Sequence, residues 1–145
     1  LGLVIEQSHY TLLVPTVELE VLPACREYGV GVIPWSPLAR GRLTRDWDES
    51  TARSETDEFG KMLYSPDDRV IVDRVAEIAA ERDVPRAQVA LAWLLAKPFV
   101  TSPIVGVTKE HHIDDAIAAV ELELTAAEIA RLEEPYTPHQ VVGFR

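Results

Sequence analysis

The stretch GVGVIPWSPLARGRLTR, residues 29–45, decides the fold of this chain. Its apolar part, residues 30–34, is short and rich in β-compatible residues, which is typical of a strand buried on both faces of a sheet. Polar residues and Gly41 follow directly. In parallel α/β proteins, ligand sites lie at this carboxyl end of the strands. The stretch therefore predicts a parallel α/β fold.

Two further apolar runs accompany this strand, at residues 1–5 and 100–105. Helical segments separate the runs, and the predicted order is β-α-β-loop-α-α-β-α-α. Strands that alternate with helices indicate a parallel sheet with crossover connections. Three such strands leave two open edges, which a stable parallel sheet does not tolerate. Since Leu1 already lies in a strand-like run, we interpret the chain as a fragment of a larger fold.

Local signals define the predicted helices. Thr16 is an expected N-cap, Gly29 an expected C-cap, and Thr125 with Glu128 an expected capping box. The helix over residues 67–82 carries an apolar stripe formed by Val70, Ile71, Val75 and Ile78. The remaining helices are predicted over residues 17–28, 87–96 after Pro85, 108–120, and a short segment that ends before Pro135.

Two segments carry no helical or strand pattern. Residues 44–66 are polar, charged and aperiodic, which predicts a long loop with a functional role rather than a place in the core. Residues 136–145 are predicted to be an irregular C-terminal tail.

The composition excludes several classes of partner. The net charge is −10 and no basic stripe is present, which argues against nucleic acid because phosphate binding needs clustered Lys and Arg. No apolar run has the ~18 residues of a membrane span. Cys25 is the only cysteine, which fits a reducing compartment, and a cytoplasmic location is expected. The adjacent His111 and His112 point about 100° apart on a helix, so no metal site is predicted.

The predicted strand ends carry the residues with chemical potential. Orphan N–H groups at a helix N-terminus beside Gly106, Thr108 and Lys109 predict a phosphate site. Trp35, directly after a strand, is placed to lie flat against a ring, and Gly41 allows the backbone to approach a ligand closely.

These stretches resemble the aldo-keto reductase family over nearly the whole chain. WSPLARGRLT is the most specific of them, and LVIEQSHYTLL at residues 3–13, RAQVALAWLLAKP at residues 86–98 and SPIVGVTKEHHIDDAIAAVELELTAAE at residues 102–128 accompany it. The resemblance implies a (β/α)₈ TIM barrel, of which residues 1–145 would be an incomplete C-terminal part with strands six to eight. It also implies an NADP(H)-dependent oxidoreductase that reduces aldehydes or ketones, with a small-molecule carbonyl substrate and no prediction of oligomeric state.

The resemblance also assigns cofactor contacts along the chain. Gln7 would bind the nicotinamide carboxamide, and Trp35 would stack on the nicotinamide ring. The residues that would follow the pyrophosphate are Ser36, Pro37, Leu38, Gly41 and Leu43. Those expected near the adenosine ribose and its 2′-phosphate are Gly106, Val107, Thr108 and Lys109. His112 and Asp115 stand where many members of the family have Gln and Glu, and Ala116 replaces an Asn that commonly contacts adenine. Residues 44–66 are a candidate cofactor lid.

No catalytic residue is predicted in this chain. The resemblance places the family's catalytic Asp, Tyr, Lys and His on the first four strands of the barrel, upstream of the matched stretches. Two alternatives therefore stand beside the enzyme hypothesis. One is a non-catalytic cofactor-binding or regulatory barrel protein, or an inactive truncated remnant. The other is a phosphate-binding barrel of an unrelated family, because a fold alone does not determine function.

Overall fold

The sheet that positions the site is parallel, as the sequence predicts. The computed structural model describes residues 2–51 and 55–138. Strand β1, Ile5–Glu6, pairs in parallel with β2, Gly31–Val32, with Ile5 opposite Gly31 and Glu6 opposite Val32. A further parallel bridge joins His9 to Trp35 and extends the pairing toward the carboxyl ends. Both strands are shorter than the apolar runs that predict them, and Leu1 lies outside the described residues.

The third predicted strand joins the sheet through isolated contacts. Val100 forms a parallel bridge with Val32, and the Thr101 and Ile104 amides donate to the carbonyls of Val32 and Pro34 at 2.8 Å each. No regular strand is assigned over residues 100–105. Pro103 in this segment has no N–H to donate, which interrupts a ladder. The spatial order is nevertheless β1, β2 and then this third parallel segment.

Six α-helices lie wholly within the described residues. They are α1, Val21–Tyr28; α2, Glu58–Leu63; α3, Arg69–Arg82; α4, Arg86–Leu95; α5, Glu110–Glu121; and α6, Ala126–Glu133. Short 3₁₀ turns cover Thr16–Glu18, Ala39–Thr44 and Pro66–Asp68. None of the helices in residues 2–51 and 55–138 is long and apolar enough to cross a membrane.

The start of α1 differs from the prediction. A 3₁₀ turn occupies Thr16–Glu18, the helix begins at Val21, and no Thr16 side-chain cap forms. The helix end is confirmed, because Gly29 adopts the left-handed conformation at φ 64° and its N–H returns to the last turn. The apolar pattern therefore predicts the position of the helix correctly. Its N-terminal part is shorter than predicted, because a 3₁₀ turn replaces the first α-helical turn.

The start and the buried face of α3 also differ in detail. Ser65 caps the 3₁₀ turn Pro66–Asp68, and the α-helix begins only at Arg69. Val70, predicted to be buried, is 51% exposed, and Val72 is fully buried in its place. Ile71 on the same turn is buried as predicted. The buried face of α3 therefore runs through Ile71, Val72, Val75 and Ile78, and Val70 lies beside it.

The capping box at α6 is confirmed. The Thr125 hydroxyl accepts from the Glu128 amide, and the Glu128 carboxylate accepts from the Thr125 amide at 2.7 Å. The same carboxylate receives two hydrogen bonds from Arg82 at the end of α3, at 2.6 and 2.7 Å. One residue therefore caps α6 and joins it to α3.

The core lies between the sheet and helices α1, α3, α4 and α6. As its composition predicts, α4 is buried almost all round, with Trp93 only 1% exposed and Tyr10 packed edge-on against it at 5.4 Å. The other side of β1 is open: Leu3, Val4 and Ile5 are 87, 70 and 54% exposed. This exposed apolar edge is the feature that the predicted three-strand sheet requires.

The segment predicted as a loop, residues 44–66, contains a helix. Asp57 caps α2 by accepting a hydrogen bond from the Gly60 amide at 2.9 Å. Arg40 bonds to the same carboxylate from the turn after β2. The charges that made the segment look like a solvated loop thus include a helix cap. Residues 52–54 and 139–145 lie outside the described residues, and 136–138 are not helical.

Candidate functional site

A cleft of about 880 Å³ opens beside the carboxyl end of β2. One wall is the turn after β2, and the other comes from the start of α4 and the residues that lead into α5. Almost every residue predicted to bind cofactor lines it. The predicted residues in its lining are Trp35, Ser36, Pro37, Leu38, Gly41, Gly106, Thr108, Lys109, His112 and Asp115. The structure thus brings together two stretches that are some seventy residues apart in sequence.

Three predicted residues do not line the cleft. Gln7 is exposed just beyond β1, beside the open edge of the sheet. The side chain of Leu43 is fully buried in the core, so it holds the turn in place from below. Val107 is 44% exposed and lies outside the lining.

The turn after β2 has unusual backbone geometry. Ser36, Ala39 and Arg40 have positive φ angles of 52, 48 and 54°, and Gly41 follows at 90°. Left-handed conformations are costly for residues with a Cβ, and they persist where the surrounding structure enforces them, commonly at ligand sites. Within the described residues, the other non-glycine case is Asp83 at a helix end. The strain is therefore concentrated in the wall of the cleft.

The cleft is cationic although the chain is acidic. Arg40, Arg45, Arg86 and Lys109 line it, whereas Asp115 is its single acidic lining residue among the residues described. Two of the guanidinium groups also have buried nitrogens without a hydrogen-bond partner within residues 2–51 and 55–138, namely Arg45 Nε and Arg86 Nη1. Burial, and then the neighbouring Arg42 charge, lower the pKa of Arg45. Unpaired buried donors are costly, and the guanidinium and ammonium groups of the lining residues are suited to charge-assisted hydrogen bonds with an anionic ligand.

Trp35 is half-buried at one end of the cleft. His9 stacks on its ring, with centroids 4.3 Å apart and planes at 18°. The Tyr64 hydroxyl lies 3.2 Å from His9 Nε2. Burial, and then the Arg40 charge, lower the pKa of His9 to about 4, so its imidazole is neutral near pH 7. His9 and Tyr64 were not predicted to belong to the site, although the alternation of side chains along a strand places His9 on the face of Gln7.

The opposite end of the cleft is formed at the start of α5. Lys109 precedes the helix in extended conformation and provides no side-chain cap, while its carbonyl accepts a hydrogen bond from the His112 amide at 3.1 Å. The Thr108 amide donates to His112 Nδ1 at 3.4 Å, and Gln88 of α4 donates to Asp115 at 3.0 Å. His112 and Asp115 are thus held in place on the cleft wall.

The adjacent residues His111 and His112 both line the cleft. The His111 and His112 rings meet edge-on, with their planes at 82°. No group of three or more potential His, Cys, Asp or Glu ligands is found in the portion of the chain that the structure describes. Cys25 is buried against the core, away from the cleft lining.

Comparison with known proteins identifies relatives over nearly the whole chain. The sequence profile of the Aldo/keto reductase family matches residues 1–136. A versiconal hemiacetal acetate reductase of Aspergillus parasiticus is 43% identical over 140 residues, and a putative aryl-alcohol dehydrogenase of Schizosaccharomyces pombe is 45% identical over 140. The matches cover 93 and 94% of this chain but 40 and 39% of the relatives. The chain therefore spans about 40% of the length of these relatives.

Proposed function

Because this chain belongs to the aldo/keto reductase family, whose members are (β/α)₈ barrel oxidoreductases, we propose that it holds NADP(H) for the reduction of aldehydes or ketones to alcohols. The observation that carries the proposal is the cationic cleft at the carboxyl ends of the strands, with buried unpaired guanidinium nitrogens on Arg45 and Arg86. The described segments account for part of such a barrel, with its parallel strands in the expected order.

The nicotinamide end of the cofactor is proposed to lie at Trp35. A large, half-buried ring at the strand end offers a flat apolar surface to a planar group. Gln7 lies two residues before His9 and its side-chain amide is exposed beyond β1. That amide is suited to exchange hydrogen bonds with the nicotinamide carboxamide.

The pyrophosphate is proposed to follow the turn from Ser36 to Leu43. The left-handed backbone there brings main chain close to the cleft, and Gly41 adds no side chain to it. Arg45 and Arg86 line the two walls, and charge-assisted hydrogen bonds from guanidinium groups to phosphate oxygens are short and strong. Leu43 would act by fixing the turn from the core.

The adenosine and its 2′-phosphate are proposed to lie at the start of α5. Gly106 has no side chain and leaves space for the ligand, and Thr108 offers a hydroxyl group. Lys109 adds a positive charge where the helix N-terminus already favours anions. His112 and Asp115 would border the adenine, with Val107 at the rim. NADP(H) is proposed rather than NAD(H), because the Lys109 ammonium at this end of the cleft is suited to pair with a 2′-phosphate.

NADPH supplies the hydride that reduces a carbonyl carbon, while an acid donates a proton to the oxygen. The residues of this chain orient the cofactor, neutralise its phosphates and cover it. The acid is proposed to lie in the part of the barrel that carries the first four strands. The segment 44–66 is proposed to act as a lid, since two ion pairs attach its described parts to residues that line the cleft: Asp46 pairs with Arg86, and Asp57 pairs with Arg40.

A cofactor titration of the whole protein tests the proposal. We expect Trp35→Ala and Arg45→Ala to weaken NADPH binding by roughly tenfold each, because a stacked ring and a charge-assisted hydrogen bond are lost. Tyr28→Ala is the control, since Tyr28 is an exposed aromatic residue at the end of α1 and lies outside the cleft lining. Equal affinity of all three variants for NADPH would refute the assigned cleft. NADPH binding without carbonyl reduction would favour a non-catalytic cofactor-binding protein.

A further inference from the structure

The Trp35 ring is supported from outside the cleft. Its partner His9 does not line the cleft, and its imidazole lies nearly parallel to the indole at 4.3 Å. A backbone bridge between the two residues, and a 2.9 Å hydrogen bond from the Trp35 amide to the Ser8 carbonyl, set the ring positions. The backbone pairing beyond the ends of β1 and β2 therefore places the two rings next to each other.

Tyr64 holds His9 in turn. Its hydroxyl lies 3.2 Å from His9 Nε2, and its ring meets the imidazole edge-on at 5.9 Å. Burial raises the pKa of the Tyr64 phenol and lowers the pKa of His9, so the hydrogen bond joins two neutral groups, and the imidazole tautomer sets which of them donates. The two contacts restrict both the position and the rotation of the imidazole.

Tyr64 follows α2 immediately, and α2 is attached to the turn after β2. Arg40 of that turn bonds to Asp57 at the helix start, and its guanidinium lies 5.8 Å from the centre of the Phe59 ring. A continuous set of contacts therefore runs from α2, through Tyr64 and His9, to the ring of Trp35. Its members come from three separate parts of the chain.

We propose that His9 and Tyr64 are positioning residues that hold the Trp35 indole in the orientation that receives the nicotinamide. The proposal rests on the proposed cofactor role of Trp35. Neither residue contacts the cofactor in this arrangement. Each acts through the indole ring of Trp35. Because Tyr64 directly follows α2, the orientation of that ring depends on how α2 packs.

Fluorine NMR of the whole protein labelled with 5-fluorotryptophan, without cofactor, tests the positioning directly. The signal that disappears in Trp35→Phe identifies Trp35, whatever other tryptophans are present. In His9→Ala we expect this signal to shift and broaden, because the stacked ring is lost and the indole gains freedom. His9→Phe keeps a stacked ring and should restore a narrow signal. Tyr64→Phe removes one hydroxyl with little risk to folding and should broaden the signal less than His9→Ala.

NADPH titration of the same variants provides the second measurement. We expect affinity to fall about two- to tenfold in His9→Ala, less in Tyr64→Phe, and to recover in His9→Phe. An unchanged Trp35 signal in His9→Ala would overturn the positioning role. Tighter binding in His9→Ala would also overturn it, because His9 would then occupy the cofactor's place. Unchanged affinity of Trp35→Ala, with the NMR changes intact, would instead refute the proposed role of Trp35, so the two failures are distinguishable.

Discussion

Gly41 offers the sharpest test of how the cleft wall is built. It has φ 90°, and a Cβ added there would lie 2.6 Å from Nη1 of Arg45. The left-handed backbone costs a residue with a Cβ about 1–2 kcal/mol. The guanidinium is at the end of a flexible side chain and would move aside, away from its place in the cleft. Gly41→Ala should therefore lower the free energy of unfolding by about 1–2 kcal/mol and weaken NADPH binding by about tenfold or more.

Gly29→Ala is a matched control for that change. Gly29 also has a left-handed backbone, at φ 64°, but nothing lies within 4 Å of its added Cβ and it is at the opposite end of β2. Denaturant unfolding should show a similar loss of stability in both variants, whereas fluorescence titration with NADPH should show a loss of affinity only in Gly41→Ala. Equal NADPH affinities in the two variants would refute the reasoning that links Gly41 to Arg45 and the cleft.

Three other predictions concern stability and the attachment of α2. Hydrogen bonds from Arg82 hold the pKa of Glu128 at about 2, against 4.5 normally. Its stabilising contribution is therefore complete above about pH 4.5 and is lost as the pH falls toward 2. In Glu128→Gln, the free energy of unfolding should depend less on pH over this range. Leu43→Ala should cost about 2–5 kcal/mol in denaturant unfolding, because the side chain is fully buried, and a cost below 1 kcal/mol would contradict its place in the core. Asp57→Ala removes both the helix cap and the ion pair with Arg40. It should leave the global free energy of unfolding nearly unchanged but speed proteolytic cleavage around α2. An unchanged cleavage rate would contradict the attachment of α2 through Asp57.

The strand-end residues show how far one part of the site could be foreseen. Trp35 and Gly41 were expected at a ligand site because they follow an apolar strand, and the structure places both in the cleft. Gly106 and Lys109 were expected there for the same reason, and they line the opposite wall. Strand ends are recognisable from local pattern, and parallel strands bring their ends to one edge.

Arg86 and His9 show what local pattern did not reveal. Arg86 opens a helix whose sequence reads only as core, and its position on the cleft depends on how α4 packs beside α5. His9 was visible as a polar residue near a strand end, but its stacking on Trp35 depends on the register between β1 and β2. The Tyr64 contact spans 55 residues along the chain, and no periodic signal reports such a pair.

The sequence by itself determined the family, the parallel order of the strands, and the helix ends at Gly29 and Thr125, because apolar periodicity and capping are properties of neighbouring residues. The tertiary structure alone decided that α1 starts late and that Val70 is exposed. It also decided that cationic side chains from separate elements meet across one cleft. These features depend on packing between distant segments, where the neighbours of a side chain are set by the fold rather than by the residues beside it.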